Sequence, residues 1–330
     1  MGLANFTWNA FILNKKNSRW ARIFFGLVIF YQPLISFATT GQSGPAPVAV
    51  VLVPGVLNVL IPAFSKNSSD SVYFAADIRD QFHKLGIQTH VVENLLPTSD
   101  LYENAQRTLA DMEHWYKKTF PKGGTQIVMV GHSSGGLYSM RAAALNTTLP
   151  IKKIIGISVP VEGTQLATAF GLKKLNDLLD TSAGKIITRY MDLRGLGQMA
   201  PETTRSFVSN SVFKDSIQLI LTGGGQPSPV WAWEYFDSKF LYPLLSLTAA
   251  FIGSYSDGIV PFDSAMAKNT KFGSGGAAHA VRLSHVDIGL DHFEQILELR
   301  LLQLIGNRDL AYVAEKRRKF YTGIARLSLD

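Results

Sequence analysis

The 330-residue sequence contains no cysteine. That absence excludes a disulfide scaffold, a thiolate zinc site, an iron–sulfur cluster and a cysteine nucleophile. Charged residues are also sparse, at 17% against 46% hydrophobic. Such a chain has ample apolar surface to bury, so it is not of the disordered class. Glycine (28) and proline (14) are unremarkable in number, which sets aside collagen-like and low-complexity readings. Acidic residues are missing from the first 38 positions. That stretch holds Lys15, Lys16, Arg19 and Arg22, four of the seven surplus positive charges. The three left for residues 39–330 are too few to call for a polyanionic partner.

After this basic N-terminus the sequence is apolar from Ile23 to Tyr31, is broken by Gln32-Pro33, and closes near Ser36-Phe37-Ala38. A charged region, a short apolar core and a small-x-small end have the layout of a secretory signal peptide over residues 1–38, cleaved after Ala38. The alternative is an uncleaved N-terminal membrane anchor, although the interrupted core is short for a span of ~20 residues. Both readings put the folded part outside the cytoplasm, periplasmic or secreted. Residues 39–47 read as a linker. No later segment reaches ~18 consecutive apolar residues.

From residue 48 onward the pattern alternates between strand and helix. Val48–Val53 is a buried, β-branched run closed by Pro54-Gly55. A helix is expected over 73–86, a strand over 88–92 and an amphipathic helix over 102–120, with Ala105, Leu109, Met112, Tyr116 and Phe120 at three- and four-residue steps. Strands are expected at 125–130 and 153–159, with a helix between them ending near Ala144. A further strand is expected at 247–252 and a helix at 291–305. Residues 161–240 are irregular, helix-leaning and aromatic around Trp231, Trp233, Tyr235 and Phe236. The alternation predicts an α/β fold with a mostly parallel central sheet flanked by helices.

The chemistry centres on Gly131-His132-Ser133-Ser134-Gly135. A bare G-x-S-x-G is weak, but here it lies between a buried strand and a helix. That is the context of a nucleophile elbow, in which a sharp turn lifts the serine Oγ above the sheet. Serine is a poor nucleophile at neutral pH and needs a base and an orienting acid. His83, His90 and His114 precede the serine in or beside helix and strand, and His132 lies inside the elbow itself. Of His279, His285 and His292, His285 occupies a loop just before the expected last helix and is the candidate base. Asp257, in Ser256-Asp257-Gly258 after a strand, is the candidate acid. Asp263 is its rival, although it reads as a helix cap.

Four segments carry a resemblance to a known family: Val51-Leu-Val-Pro-Gly55, Ile127-Val-Met-Val-Gly-His-Ser-Ser-Gly-Gly-Leu137, Ser256-Asp-Gly-Ile-Val-Pro261 and His285-Val-Asp287. Over roughly residues 47–305 the chain resembles α/β-hydrolases of the bacterial lipase type. The resemblance implies one hydrolase domain over 48–330, with 161–240 as a cap or lid insertion. It also implies a carboxylic ester hydrolase acting on lipid acyl esters, a lipase or esterase, through a Ser133–His285–Asp257 triad and an acyl-enzyme. A phospholipase, an acyltransferase or an amidase on the same fold is the alternative.

The oxyanion hole would use the backbone N–H of Ser134 and, by resemblance, of Val56. Many lipases carry His-Gly where this chain has Pro54-Gly55, but a backbone donor does not depend on that side chain. Similar lipases bind a structural Ca²⁺ through aspartates that match Asp237, twenty residues before Asp257, and Asp287, two after His285. The chemistry itself requires no cofactor. The expected partner is an acyl-ester substrate at a lipid–water interface. No nucleic-acid partner is expected, because Lys316-Arg-Arg-Lys319 reads as a solvated helix face without any accompanying nucleic-acid motif.

Overall fold

The computed structural model describes residues 46–55, 73–96, 99–168, 194–224, 255–268 and 307–330, together with Ile252, Thr270, His285 and Ile288. Among these residues five strands form one sheet: β1 (Val48–Val53), β2 (Gln88–Val91), β3 (Gln126–His132), β4 (Ile151–Ile157) and β5 (Gln218–Thr222). Their order is β2-β1-β3-β4-β5 and every pairing is parallel. β1 is buried from Ala49 to Val53, which explains its unbroken apolar sequence: a parallel strand covered on both faces has no polar side.

Helices α1 (Ala76–His83), α2 (Leu101–Thr119) and α3 (Ser134–Leu145) are the crossovers between successive parallel strands. Two short helices, α4 (Pro201–Ser209) and α5 (Phe262–Ala265), and a long C-terminal helix, α6 (Asn307–Leu329), complete the described set. α2 begins where Asp100 caps it, its Oδ1 accepting the Glu103 N–H at 2.6 Å. It buries Ala105, Met112 and Tyr116, as its spacing predicts.

Side-chain alternation divides the core between the two faces of the sheet. Val51, Val53, Ile127 and Met129 pack with residues of α2 and α3. On the opposite face lies α6, whose Tyr321 meets Phe74 edge-on at 6.1 Å and Phe82 at 6.5 Å. Long-range polar contacts, two of them made by buried cations, fix α6. Lys153, buried in β4, donates from Nζ to the Leu327 carbonyl at 2.6 Å. Arg317, 1% exposed, donates from Nη2 to Asp77 Oδ2 of α1 at 3.1 Å.

Two expectations change here. The basic run 316–319 is not wholly a solvated face, because Arg317 turns inward to the Asp77 carboxylate. The 161–240 stretch is not one continuous insertion either: Gln218–Thr222 within it is strand β5, in register with Lys153–Ile157. Five residues with three apolar positions between polar ends are too short to show a strand's period, which is why the sequence reads as helix-leaning there. The expected signal segment (1–38), the strand at 247–252 apart from Ile252, the helix at 291–305 and the aromatics around Trp231 lie outside the described residues; Ile252 itself is helical and not extended as expected. Among the described residues no helix is long and apolar enough to cross a membrane.

The strand order reverses direction between β1 and β3, and in open parallel sheets the carboxyl ends of the strands at such a switch point are where ligands bind. Pro54-Gly55 ends β1 and Ser133 ends β3, at that switch point. Arg317→Ala should leave Asp77 without its buried cation, costing about 3 kcal/mol. Thermal unfolding followed by circular dichroism should show Tm lowered by roughly 5–10 °C.

Candidate active site

Ser133 sits between β3 and α3 with φ 56° and ψ −136°, a left-side conformation that an L-residue adopts only under strain. The neighbouring sequence makes the turn possible. A Cβ on Gly135 would lie 2.0 Å from the Val53 carbonyl oxygen, and one on Gly131 would lie 2.6 Å from the Gly136 backbone. A Cβ on Gly136 would lie 2.1 Å from Val159 Cγ2. Gly135 therefore lets α3 start directly against the end of β1, Gly131 lets the helix turn back on β3, and Gly136 makes room for Val159 after β4. The Ser133 N–H donates to the Ile157 carbonyl at 2.9 Å, and the Ser133 carbonyl accepts from Gly136 at 3.0 Å. Ser134 opens the first turn of α3, at the positive end of the helix dipole.

Asp257 and His285 come together from segments 28 residues apart. His285 Nδ1 lies 2.7 Å from Asp257 Oδ2, and both side chains are 1% exposed. The other carboxylate oxygen, Oδ1, accepts the N–H groups of Ile259 (3.0 Å) and Val260 (2.8 Å). The His285 backbone N–H also donates to the Asp257 carbonyl at 3.0 Å. An ionised carboxylate only accepts, so the imidazole proton sits on Nδ1 and Nε2 is left as the basic nitrogen.

The loop bearing Asp257 is fastened to the loop after β4. Thr164 Oγ1 donates to the Ile259 carbonyl at 2.6 Å, and Ser264 Oγ donates to the Gly163 carbonyl at 2.7 Å. The rival Asp263 is exposed and pairs with Lys268, so it serves the surface.

The ring of His132 links this pair to the elbow. It packs against the His285 ring with centroids 4.6 Å apart and planes tilted by 39°. His132 Nδ1 is hydrogen-bonded to the Tyr73 hydroxyl. Burial, and secondarily the neighbouring His285, hold the His132 imidazole well below its ordinary value, so it is neutral. Burial also raises the Tyr73 phenol far above its ordinary range, although the Gly55 backbone N–H donating to it acts in the opposite direction.

Tyr73 is a site-adjacent residue that sequence reasoning misses. It lies 59 residues before His132 and belongs to no local pattern that could have found it. The remaining early histidines are elsewhere: His83 is exposed beside Thr89, His90 pairs with Asp111 and stacks on Trp115, and His114 is exposed.

Val56, Asp237 and Asp287 lie outside the described residues, as do His279 and His292. Among the described residues, no group of three or more His, Asp or Glu side chains could hold a metal ion.

The parallel sheet, its crossover helices and the elbow at the strand-order reversal define an α/β-hydrolase fold. No family model matches the chain, and neither does any curated protein sequence. Solved structures do match. A metagenomic carboxyl esterase aligns at TM-score 0.58 with 18% identity, over 86% of this chain and 76% of its own. Lipase 1 from Pelosinus fermentans aligns at TM-score 0.53 with 14% identity, over 86% of this chain and 98% of its own. At such identities the likeness is one of fold.

This geometry has two measurable outcomes. Ser133→Gly should remove strain of ~1–3 kcal/mol against a glycine entropy cost of ~0.5–1 kcal/mol. Urea unfolding should therefore show a variant more stable by about 1 kcal/mol. The second outcome concerns acid. His132 binds a proton in the unfolded chain below its ordinary value of 6.5 but not in the folded protein. The unfolded state thus gains protons as pH falls, and stability declines below about pH 6.5. That contribution approaches ~1.4 kcal/mol per pH unit. It should be missing from the acid limb of a urea-unfolding series on His132→Phe.

Proposed function

We propose that the protein is an extracytoplasmic serine carboxylic ester hydrolase of the lipase/esterase kind, acting on lipid acyl esters. The observation that carries this reading is the buried Asp257–His285 pair packed against the ring of His132, the residue before a strained serine at the end of β3. The esterase and lipase that share the fold support the same class. The basic and apolar N-terminal sequence supports export.

In the proposed reaction, His285 Nε2 takes the Ser133 hydroxyl proton as Oγ attacks the ester carbonyl carbon. The tetrahedral oxyanion is held by the Ser134 N–H and by a second amide from the loop after β1, expected at Val56. When the intermediate collapses, the C–O bond to the alcohol breaks and the alcohol leaves with the proton from His285. Water then gives a proton to His285 and attacks the acyl-enzyme, and the returning proton frees Ser133 and the carboxylic acid. Asp257 keeps the Nδ1–H tautomer and stabilises the imidazolium in both halves.

Turnover of p-nitrophenyl butyrate and longer acyl esters tests this reading. Wild type should hydrolyse them and be labelled at Ser133 by an organophosphonate. Ser133→Ala should lose more than ~10³-fold in kcat, and Asp257→Asn about 10⁴-fold through the wrong imidazole tautomer. An active Ser133→Ala variant would remove the mechanism.

A further inference from the structure

The second histidine of the site is not used in that reaction, yet it touches the residue that is. Its ring lies against His285 at 4.6 Å, and its Nδ1 meets the Tyr73 hydroxyl. The same hydroxyl reaches the end of β1: a Cβ on Gly55 would stand 3.1 Å from it and 2.8 Å from Ser133 Cβ. One phenol thus borders the loop after β1, the elbow and the partner of the base.

We propose that Tyr73 and His132 are a buried pair of positioning residues, in which one hydroxyl holds both the Gly55 backbone and the orientation of the His285 ring. The proposal rests on the ester-hydrolase reading for its catalytic consequence. The Tyr73 oxygen accepts from the Gly55 N–H and is hydrogen-bonded to His132 Nδ1; in the proposed pair its own proton is the one donated to that nitrogen. His132 is therefore fixed as the neutral tautomer with its proton on Nε2.

Neutrality matters because His285 becomes a cation twice per turnover, and a charged ring 4.6 Å away would oppose each event. Orientation matters because a bond from Nδ1 to Asp257 alone would not fix the plane of the His285 ring. The His132 face supplies that constraint. The other titratable groups bordering the pair are Asp257 behind His285, Tyr138, which acts on Tyr73, and Tyr321, which feels Tyr73.

Among the described residues His132 Nε2 has no hydrogen-bond partner although it is buried. A phenylalanine at this position would fill the space without that polar edge. The imidazole is retained at a cost to packing, as expected of a group that works through its hydrogen bond to Tyr73.

Two measurements on the full-length chain test the pair. The first is steady-state kinetics with p-nitrophenyl butyrate, alongside the rate of organophosphonate labelling of Ser133. Tyr73→Phe should lower kcat about tenfold with KM within about twofold, and slow labelling by the same factor, because misplacement acts on the reacting geometry. Tyr73→Phe/His132→Phe should be no slower than the worse single variant. Where His132→Phe fails to fold, His132→Gln takes its place. Unchanged kcat in Tyr73→Phe, a change confined to KM, or losses that multiply in the double variant would each overturn the proposal.

The second measurement is histidine ring ¹⁵N NMR from pH 5 to 8. His132 should stay neutral with its proton on Nε2 throughout, and Tyr73→Phe should abolish that fixed tautomer. A His132 ring protonated on Nδ1, or one titrating near 6.5, would overturn the pair. The spectra need no turnover. A wild type that hydrolyses no ester would therefore defeat the ester-hydrolase reading while the tautomer still decides the pairing.

Discussion

The close approach of α3 to the end of β1 is the constraint on which the site depends. The Gly135 α-carbon faces the Val53 carbonyl at a distance that leaves no room for a side chain. Only with that contact can the chain leave β3, reverse through a positive φ at Ser133 and enter a helix within a single residue. The sheet supplies the opposing rigidity. Val53 pairs with Gly131 and His132 with Ile157, so the ends of three parallel strands are held in register beneath the turn. Strain at Ser133 persists because this surrounding geometry leaves the backbone no alternative.

The proposed acid and base are built on a different principle. Asp257 lies on a loop, and a loop needs local polar bonding to be precise, whereas His285 stands in helical backbone. Asp257 spends one carboxylate oxygen on two backbone amides and turns the other to His285, so neither rotation nor solvent competes for the bond. Thr164 and Ser264 then tie this loop to the one after β4 through short side-chain hydrogen bonds. A rigid sheet carries Ser133, and a hydrogen-bonded loop pair holds the carboxylate that His285 meets. The His132 ring is where the two meet.

Much of this was legible in the sequence because it is local. Val48–Val53, the helix around Ala105 and Met112, and the glycines about Ser133 each declare themselves within a dozen residues. Asp257 and His285 were legible by chain order, and the structure brings their side chains together, but it places His285 in helical backbone and not in the expected loop, because a lone residue before an expected helix does not show where that helix starts. What stayed hidden is long-range. Tyr73 carries no signal that it will reach His132, and the strand Gln218–Thr222 is too short to show a period. Arg317 sits among three other basic residues that look alike, and only the fold separates the one facing Asp77. Val56, Asp237 and Asp287 belong to segments the structure does not describe, so the resemblance alone speaks for them.

The pairing of Arg317 with Asp77 spans 240 residues, and that of Lys153 with Leu327 spans 174. A ribosome delivers the chain from its N-terminus, so β1, α1 and β4 emerge long before the helix that covers them. Until residues 317–327 arrive, one face of the sheet has its strands but not its cover, with Phe74 and Phe82 lacking Tyr321 and Lys153 lacking its carbonyl. On that side the contacts that close the core form only once residues 317–327 have emerged, so the structure couples completion of this face to a distant segment of the chain.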